Sequence, residues 1–519
     1  MVENKFERLK RTIGAPTLTL LGLNAALGSA ILFGVAGITA VAGPAGIISF
    51  LIGALLFIPL ALIQLELSRT FPEAGAPGRY PLYTHGHFTN LINVFTSLVW
   101  YIFIAPFEAF AIIEGINQFL PVLISTSGFP TYVGAFVGVI LTLLFVPLNY
   151  FGARIMGRSN LISGIIKIAL YAALGFGLLA ILHNTSNLTG FGGFFPFGAV
   201  GIFAALPLVM FTYASARIVA DYAEEVSSTN VLRKAFVGLV LGQLIIYVLF
   251  DYVFITGINW ASLGLTPGNW AALSTVTSNP FILLATNTHV AVLIAIAIIM
   301  GIIMPFMTGF VYVGGGSRIL LASSRSGYVS KYIKKIDQKY NSPNYATVTF
   351  AAVGAVLAFI SAPVHSIFSI ISYALVGGYL GYSFSAVAMV AARRQGFTKQ
   401  RVPWGNVVAA AAFAVGSLIV FWSGWPAVPY SLAIITAAVI IFSLIFRIRD
   451  HFVNSLWAIF YIAFLLVMTY IGSVGALSII PFYDSSIIVM VGSLVVFFPL
   501  GVISALKPAV AQKVYGEYN

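Results

Sequence analysis

Four ionisable side chains inside long apolar segments are the residues of this sequence that could do chemistry. They are Glu108, Glu114, Lys167 and Arg217. A charge in the middle of a membrane helix costs at least about 2.5–3.5 kcal/mol, so such residues usually serve to bind a solute or carry a proton. Lys167 is the candidate for proton exchange, unless its ammonium snorkels to the nearby membrane surface. Glu108 is the predicted partner of Lys167 or of a cationic solute, and Arg217 could pair with either glutamate or with Asp221 one turn later.

Two short stretches rich in small and hydroxyl residues interrupt apolar runs that could otherwise cross a membrane as one helix. Gly28-Ser29-Ala30-Ile31-Leu32 lies in the run 16–42, and Phe211-Thr212-Tyr213-Ala214-Ser215-Ala216 lies in the run 198–222. Glycine, β-branched and hydroxyl residues weaken a helix. Lipid cannot satisfy the backbone groups that a break sets free, so a break persists where it lines a cavity or binds a solute. Close helix packing through small residues is the alternative interpretation.

The composition indicates an all-α polytopic membrane protein. Of the 519 residues, 60% are hydrophobic and 8% are charged, and cysteine is absent. A chain without cysteine has no disulfide, thiolate metal site or cysteine nucleophile. About fourteen apolar segments are long enough for a transmembrane helix: 16–42, 46–68, 90–120, 131–150, 160–182, 198–222, 235–257, 289–322, 345–362, 366–392, 405–423, 429–447, 453–475 and 483–506.

Lysine and arginine residues precede the first segment and follow every second one, while the intervening loops have none. This positive-inside pattern predicts a multi-pass protein of the plasma membrane with both termini in the cytoplasm. It also accounts for the net charge of +12 without a nucleic-acid partner. After the eighth segment, Ser326 to Asn341 is predicted to form a short amphipathic helix on the cytoplasmic surface.

The two interrupted segments are the first and the sixth, which predicts an inverted repeat. Because five is an odd number, a second group of five helices enters the membrane in the opposite orientation, and interrupted helices at matching positions mark a solute site. The predicted organisation is a 5+5 core with four peripheral helices. Its parts are a cytoplasmic tail (1–15), the first repeat (16–182), the second repeat (198–393), four accessory helices (405–506) and a second cytoplasmic tail (507–519).

Several motifs follow one another in a fixed order over residues 10–395. The first is Gly28-Ser29-Ala30-Ile31-Leu32, and after it come Ala42-Gly43-Pro44-Ala45, Glu66-Leu67-Ser68, Phe71-Pro72-Glu73-Ala74-Gly75, Phe211-Thr212-Tyr213-Ala214-Ser215, Ala223-Glu224-Glu225-Val226 and Ser342-Pro343-Asn344-Tyr345-Ala346. In this order they resemble the signatures of the amino acid–polyamine–organocation transporters. The first departs from that family's Gly-x-Gly-Ile-Phe pattern at Ala30 and Leu32, and Ser215 replaces a glycine.

The resemblance implies that an amino acid binds between the two interruptions. Exposed N–H groups of Ser29, Ala30 and Ile31 would bind its carboxylate, in line with the attraction of a helix N-terminus for an anion. Backbone carbonyls would bind its amine, and Phe211 could cover the solute or simply pack. The predicted binding residues are Asn24, Ala25, Gly28, Ser29, Ala30, Ile31, Phe211, Thr212, Tyr213, Ala214 and Ser215. Relatives that lack a sodium site resemble this chain in having a lysine at the position of Lys167.

Secondary active transport of amino acids by alternating access is the leading functional hypothesis, with proton symport favoured over sodium. An exchanger of amino acids or polyamines is the alternative. A sensor or channel on the same fold is less favoured, because the tails are about a dozen residues long and no filter or ring of charges is evident. An enzyme would need clustered acidic residues and histidines, and these are dispersed. No cofactor or metal is expected, and the sequence leaves the amino acid and the oligomeric state open.

Overall fold

Helices form nearly all of the secondary structure in this computed structural model, which describes residues 8–125, 128–276, 279–362 and 367–518. Extended backbone pairs there only as isolated β-bridges. The helices are α1 (Ala15–Ala26), α2 (Ser29–Ala42), α3 (Gly46–Thr70), α4 (Tyr80–His85), α5 (His87–Asn117), α6 (Tyr132–Leu144), α7 (Pro147–Tyr150), α8 (Ala153–Leu182), α9 (Ser186–Thr189), α10 (Gly198–Tyr213), α11 (Ala216–Asp221), α12 (Thr229–Gly257), α13 (Pro280–Asn287), α14 (Ala291–Arg325), α15 (Asn344–Ser361), α16 (Ile367–Arg394), α17 (Gly405–Trp422), α18 (Ala427–Ile445), α19 (Leu456–Ile471), α20 (Phe482–Gly492), α21 (Phe498–Ile503) and α22 (Pro508–Tyr518).

Thirteen helical stretches in the described ranges are long and apolar enough to cross a membrane. One of them, Ser29–Thr70, joins α2 and α3, so these stretches account for the fourteen predicted segments. Many large apolar side chains on the outer faces are exposed, among them Leu55, Ile165, Ile245 and Ile503. Exposed apolar surface of this extent is what lipid covers. The prediction of an all-α polytopic membrane protein is confirmed.

Helix α5 lies in the middle of the bundle, where it packs along α14 and α16. Glycines make the contact with α16 close: a Cβ on Gly377 would lie 2.6 Å from Thr96 O, and one on Gly378 would lie 2.5 Å from the Trp100 ring. Small residues at such contacts let two membrane helices approach each other. Around this centre, α1 packs on α8, α12 and α14, and α10 packs on α2 and α3.

One detail of the predicted secondary structure is wrong. Ser326 to Asn341 forms turns instead of an amphipathic helix. Tyr328 is fully buried with its hydroxyl against Asn90, and Ile336 is also buried, whereas Tyr332 is exposed. The predicted segment 131–150 corresponds to the candidate membrane span Tyr132–Tyr150, in which α6 ends at Leu144 and α7 begins at Pro147, a residue without an N–H group to continue the helix. Residues 1–7 of the first predicted tail lie outside the described residues.

Buried ion pairs join the ends of helices on the side where the basic residues cluster. Arg318 pairs with Glu225 at 2.5 Å, Arg325 with Glu224 at 2.6 Å, Arg393 with Glu66 at 2.5 Å, and Arg79 with Glu73. These pairs attach α14 to the segment after α11, and α16 to α3. Removing one partner of such a buried pair is strongly destabilising.

Candidate functional site

The first interruption lies where α1 ends at Ala26 and α2 begins at Ser29. Its turn is in direct contact with α5 and α14. A Cβ on Gly28 would lie 2.5 Å from Thr308 Oγ1 and 2.7 Å from Glu108 Oε1. No side chain larger than hydrogen fits there, so the glycine brings the break in the backbone between these two polar groups.

The start of α2 presents backbone N–H groups that have no acceptor. The amides of Ala30 and Ile31 have no hydrogen-bond partner in the described part of the chain. The amide and the hydroxyl of Ser29 both donate to Glu108 Oε2, at 3.3 Å and 2.8 Å. Free N–H groups at a helix N-terminus attract an anion. The first interruption therefore presents two free amides beside the Glu108 carboxylate.

Lys167 of α8 has its ammonium enclosed by oxygens of α1 and α14. Its Nζ donates to Asn24 O at 2.9 Å, Thr308 Oγ1 at 3.1 Å and Met304 O at 3.3 Å. The residue is 1% exposed, so the alternative of snorkelling to the surface is wrong. The Asn24 side chain donates to Asn160 of α8. The sequence predicted that Asn24 binds the amine of a solute. In this conformation Asn24 O already accepts a hydrogen bond from Lys167 and is not free for that role.

Glu108 and Lys167 do not form the predicted ion pair. No ion pair joins them in the described residues, because Glu108 accepts from Ser29 while Lys167 donates to three neutral oxygens. Thr308 lies between them, since it contacts Lys167 and borders Gly28 beside Glu108. Glu114, six residues further along α5, is half-buried and forms no ion pair in the described ranges.

The predicted pairing of Arg217 with a glutamate or with Asp221 is also wrong. Its fully buried guanidinium donates to Ser97 Oγ and to Gly378 O, the latter at 3.4 Å. Asp221 accepts from Tyr101 instead. Arg217 therefore joins α11 to α5 and α16, two residues after Ser215.

The second interruption separates α10 from α11 at Ala214 and Ser215. Its freed carbonyls and the Ser215 hydroxyl accept hydrogen bonds from side chains of α12 and α16: Gln243 donates to Thr212 O at 3.3 Å and to Ser215 Oγ at 3.1 Å, Tyr382 to Ala214 O at 3.2 Å, and Tyr379 to Met210 O at 2.7 Å. The interruption is thus held open by neighbouring helices, as buried irregular backbone in a membrane requires.

A single hydroxyl connects the two interruptions. Tyr247 OH lies 2.6 Å from Thr212 O and 2.9 Å from Ala26 O. On the other side, Tyr171 OH donates to Leu27 O at 3.2 Å. The predicted site includes neither tyrosine, nor Gln243 or Thr308. The available signal was weak: a buried tyrosine needs a partner for its hydroxyl, but the sequence does not say which.

Phe211 faces two aromatic rings of α5 edge-on, with ring centroids 5.5 Å from Phe107 and 5.8 Å from Trp100. Ala30 and Phe211 each remain 8% exposed. A Cβ on Gly34, which is buried in α2, would meet no atom within 4 Å. Unfilled space therefore lies along α2 just beyond the first interruption.

Together the two interruptions present free amides at the start of α2 and one buried ammonium beside them. Free amides at a helix N-terminus suit an anionic group such as a carboxylate. No cluster of three or more His, Asp or Glu in the described chain could hold a metal ion.

Comparison with known proteins gives one consistent family. A family model described as amino acid permease matches residues 13–467. The aspartate-proton symporter of Bacillus subtilis (strain 168) is 26% identical over 93% of this chain and 94% of its own length. The glutamate/serine transporter AimA of the same strain is 26% identical over 93% and 92%. The branched-chain amino acid permease BcaP is 28% identical over 67% and 74%. The match of a single family model to most of the chain shows that this protein belongs to the amino acid permease family.

Proposed function

We propose that this protein is a proton-coupled amino acid symporter that works by alternating access in the plasma membrane, with both termini in the cytoplasm. The 5+5 inverted repeat of residues 16–182 and 198–393 provides the moving parts, and residues 405–506 are accessory. The solute binds between the two interruptions, with its carboxylate on the amides of Ala30 and Ile31. Relatives named for aspartate, glutamate and serine, and branched-chain amino acids support an amino acid as the solute.

The observation that carries the coupling proposal is the enclosure of Lys167 by three neutral oxygens. Asn24 O, Thr308 Oγ1 and Met304 O are hard oxygen ligands of the kind that alkali and alkaline-earth cations choose. The ammonium fills the place where a sodium ion would otherwise be held. Loss of its proton would leave two N–H groups for three oxygens and so weaken the hold on Asn24 O, in the last turn of α1 before the interruption. Protonation of Lys167 would thus control the geometry of the solute site.

Glu108 supports the same proposal because its carboxylate already binds Ser29 at the start of α2. A solute carboxylate arriving at Ala30 and Ile31 would come close to it, and two adjacent carboxylates in a dry site cannot both remain ionised. A proton taken up by Glu108 would remove this repulsion. Solute and proton would therefore bind together, which is the requirement for symport.

The proposal is tested by uptake of a panel of labelled amino acids into proteoliposomes, with and without an inward proton gradient or sodium gradient. We expect accumulation with the proton gradient alone. Accumulation should be at least tenfold lower in Lys167→Ala than in the wild type. The same decrease is expected for Lys167→Met, which keeps a side chain of similar volume. The matched control is Lys234→Ala, which removes an exposed lysine at the start of α12.

Uptake that ignores both gradients but is stimulated by internal amino acid would make the protein an exchanger and contradict symport. Failure to transport any amino acid would contradict the proposed function as a whole. Accumulation that Lys167→Ala leaves unchanged would reject Lys167 as the coupling residue.

A further inference from the structure

A polar stripe on α12 extends beyond the two interruptions. Gln243 and Tyr247, four residues apart, make the hydrogen bonds to the interruptions described above. Asp251 is the next residue at this spacing, and residues four apart lie on the same helix face. The first two members of the stripe have partners. The third belongs to neither the solute site nor an ion pair.

Asp251 is fully buried, and neither carboxyl oxygen has a hydrogen-bond partner. Its oxygens lie 3.0 and 3.4 Å from where a Cβ on Gly46 would be, so the carboxyl group packs directly on the backbone at the start of α3. From α2 it is faced by Thr39. No lysine, arginine or histidine of the described chain is within ion-pair distance of Asp251.

The hydrogen bonding of Thr39 favours a neutral acid at Asp251. While Thr39 Oγ1 donates its proton to Val35 O at 2.9 Å, its oxygen offers a lone pair to the carboxyl group. An ionised Asp251 would face that lone pair without a donor or a cation, which is unfavourable in a dry interior. A protonated Asp251 can donate to Thr39 and complete a chain of two hydrogen bonds that ends at Val35.

We propose that Asp251 is a proton-binding site of the transport cycle, protonated while α2 and α3 pack against α12 and able to ionise once they separate. The proton comes from water that enters between these helices, binds the carboxylate, and returns to water when they part again. By the charge pattern, this half of α12 is on the outer side. Protonation would therefore favour closure of the outer side over the bound solute. This inference rests on the proposed function for its role in transport, although the protonation itself can be measured independently.

Infrared difference spectroscopy on the full protein in lipid nanodiscs tests the protonation directly. The spectrum of the wild type minus that of Asp251→Asn should contain the C=O band of a neutral carboxylic acid at pH 7. Thr39→Val should shift this band, because it removes the hydrogen-bond acceptor. Thr256→Val is the control: it removes another buried hydroxyl of α12, one that donates to Tyr252 O. This variant should leave the acid band in place. A difference spectrum that shows only carboxylate bands would overturn the proposal.

Transport in proteoliposomes with independently set internal and external pH tests the role in the cycle. In the wild type, KM at the outer face should rise with external pH, by at most about tenfold per unit for each linked proton. Asp251→Asn should still exchange amino acid when the pH is equal on both sides. The slope of log KM against external pH should be smaller in this variant than in the wild type, by the amount that one linked proton contributes. The same pH profile in variant and wild type would overturn the proposal, and so would an acid band that stays unchanged from pH 5 to 9. If no amino acid is transported, the proposed function fails, and the spectrum still decides whether Asp251 binds a proton.

Discussion

The hydroxyl of Tyr247 is the smallest group that connects both interruptions, which makes it the sharpest test at the scale of single residues. Tyr247→Phe removes the single phenolic proton that Thr212 O and Ala26 O share, and Ala26 O then has no side-chain donor in the described residues. A buried polar group left without a partner costs about 1–3 kcal/mol. We expect uptake to fall about tenfold or more, with expression unchanged, in a proteoliposome assay. Tyr252→Phe is the matched control. Tyr252 lies about one turn after Tyr247 on α12, and its hydroxyl contacts the exposed His183 instead of an interruption. Equal activity of the two variants would contradict the bridging role.

Residue types and spacing predicted part of the site. Gly28 and Ser29 predicted the first interruption, and the charge of Lys167 inside an apolar segment made it a candidate coupling residue. The pairing of Glu108 with Lys167 was wrong, because an ammonium can be satisfied by neutral backbone oxygens that the sequence does not reveal. Tyr171 and Tyr247 were missed for a related reason. One buried tyrosine looks like any other in a sequence until the fold shows which carbonyl it reaches.

At the scale of secondary-structure elements, Glu224 attaches three segments to one another after α11. Its carboxylate accepts from Leu9 N at 2.7 Å, Ala74 N at 2.8 Å and Arg325 at 2.6 Å. Burial alone would raise the pKa of Glu224, but Arg325 and the two amides outweigh it and lower the pKa below its usual value. One carboxylate thus joins the N-terminal segment, the loop after α3 and the end of α14.

We therefore expect Glu224→Gln to loosen this contact, since charged hydrogen bonds are worth about 1.5–3 kcal/mol each. The chain has no cysteine, so a thiol introduced by Leu9→Cys at a position that is 4% exposed reports on opening. Its labelling rate should rise about tenfold or more in the Glu224→Gln background. Glu517→Gln, at an exposed glutamate, should leave the rate unchanged. An unchanged rate in Glu224→Gln would show that the carboxylate does not hold these segments together.

His85 makes the contact of α4 with α21 dependent on pH. Its ring is buried between Thr84 Oγ1 at 2.8 Å and Gly501 O at 3.0 Å. Burial lowers the pKa of His85 to about 4, against an opposing effect of the Gly501 carbonyl. The unfolded chain takes up the proton below pH 6.5 and the folded ring does not. Stability is therefore complete above pH 6.5 and is lost as the pH falls towards 4, by about 1.4 kcal/mol per unit.

Thermal unfolding in detergent between pH 4 and 7 measures this contribution. His85→Gln keeps a donor for Gly501 O but cannot titrate, so its Tm should fall less steeply with acid than that of the wild type. The comparison variant is His183→Gln, which replaces an exposed histidine. Parallel pH curves for His85→Gln and the wild type would refute the effect.

Most of the helices could be predicted because each transmembrane segment must be apolar over its whole length. The segment after α14 could not be, since the apolar residues Tyr328 and Ile336 could cover either a membrane or a protein surface. Both are buried in the protein, and Tyr328 is held there by a hydrogen bond from Asn90 of α5. The interruptions in α1/α2 and α10/α11 were predictable because their helix-weakening residues stand out against the surrounding leucine, isoleucine and valine.

At the scale of the whole molecule, the alternation of basic loops predicts the orientation in the membrane. A thiol introduced by Ser262→Cys, in the exposed connection after α12, should react with an impermeant maleimide added to intact cells. One introduced by Lys331→Cys, in the exposed turns after α14, should react only after the cells are broken. Reaction in the reverse order would invert the predicted topology and place both termini outside.

The most direct test of the central claim is simultaneous recording of amino acid entry and internal pH in proteoliposomes without an imposed proton gradient. Inward movement of the amino acid should acidify the interior in a fixed ratio of protons to solute. Lys167→Ala should abolish the acidification, whereas Lys234→Ala should preserve it. Amino acid entry in the wild type without acidification, or acidification that persists in Lys167→Ala, would contradict proton symport through Lys167.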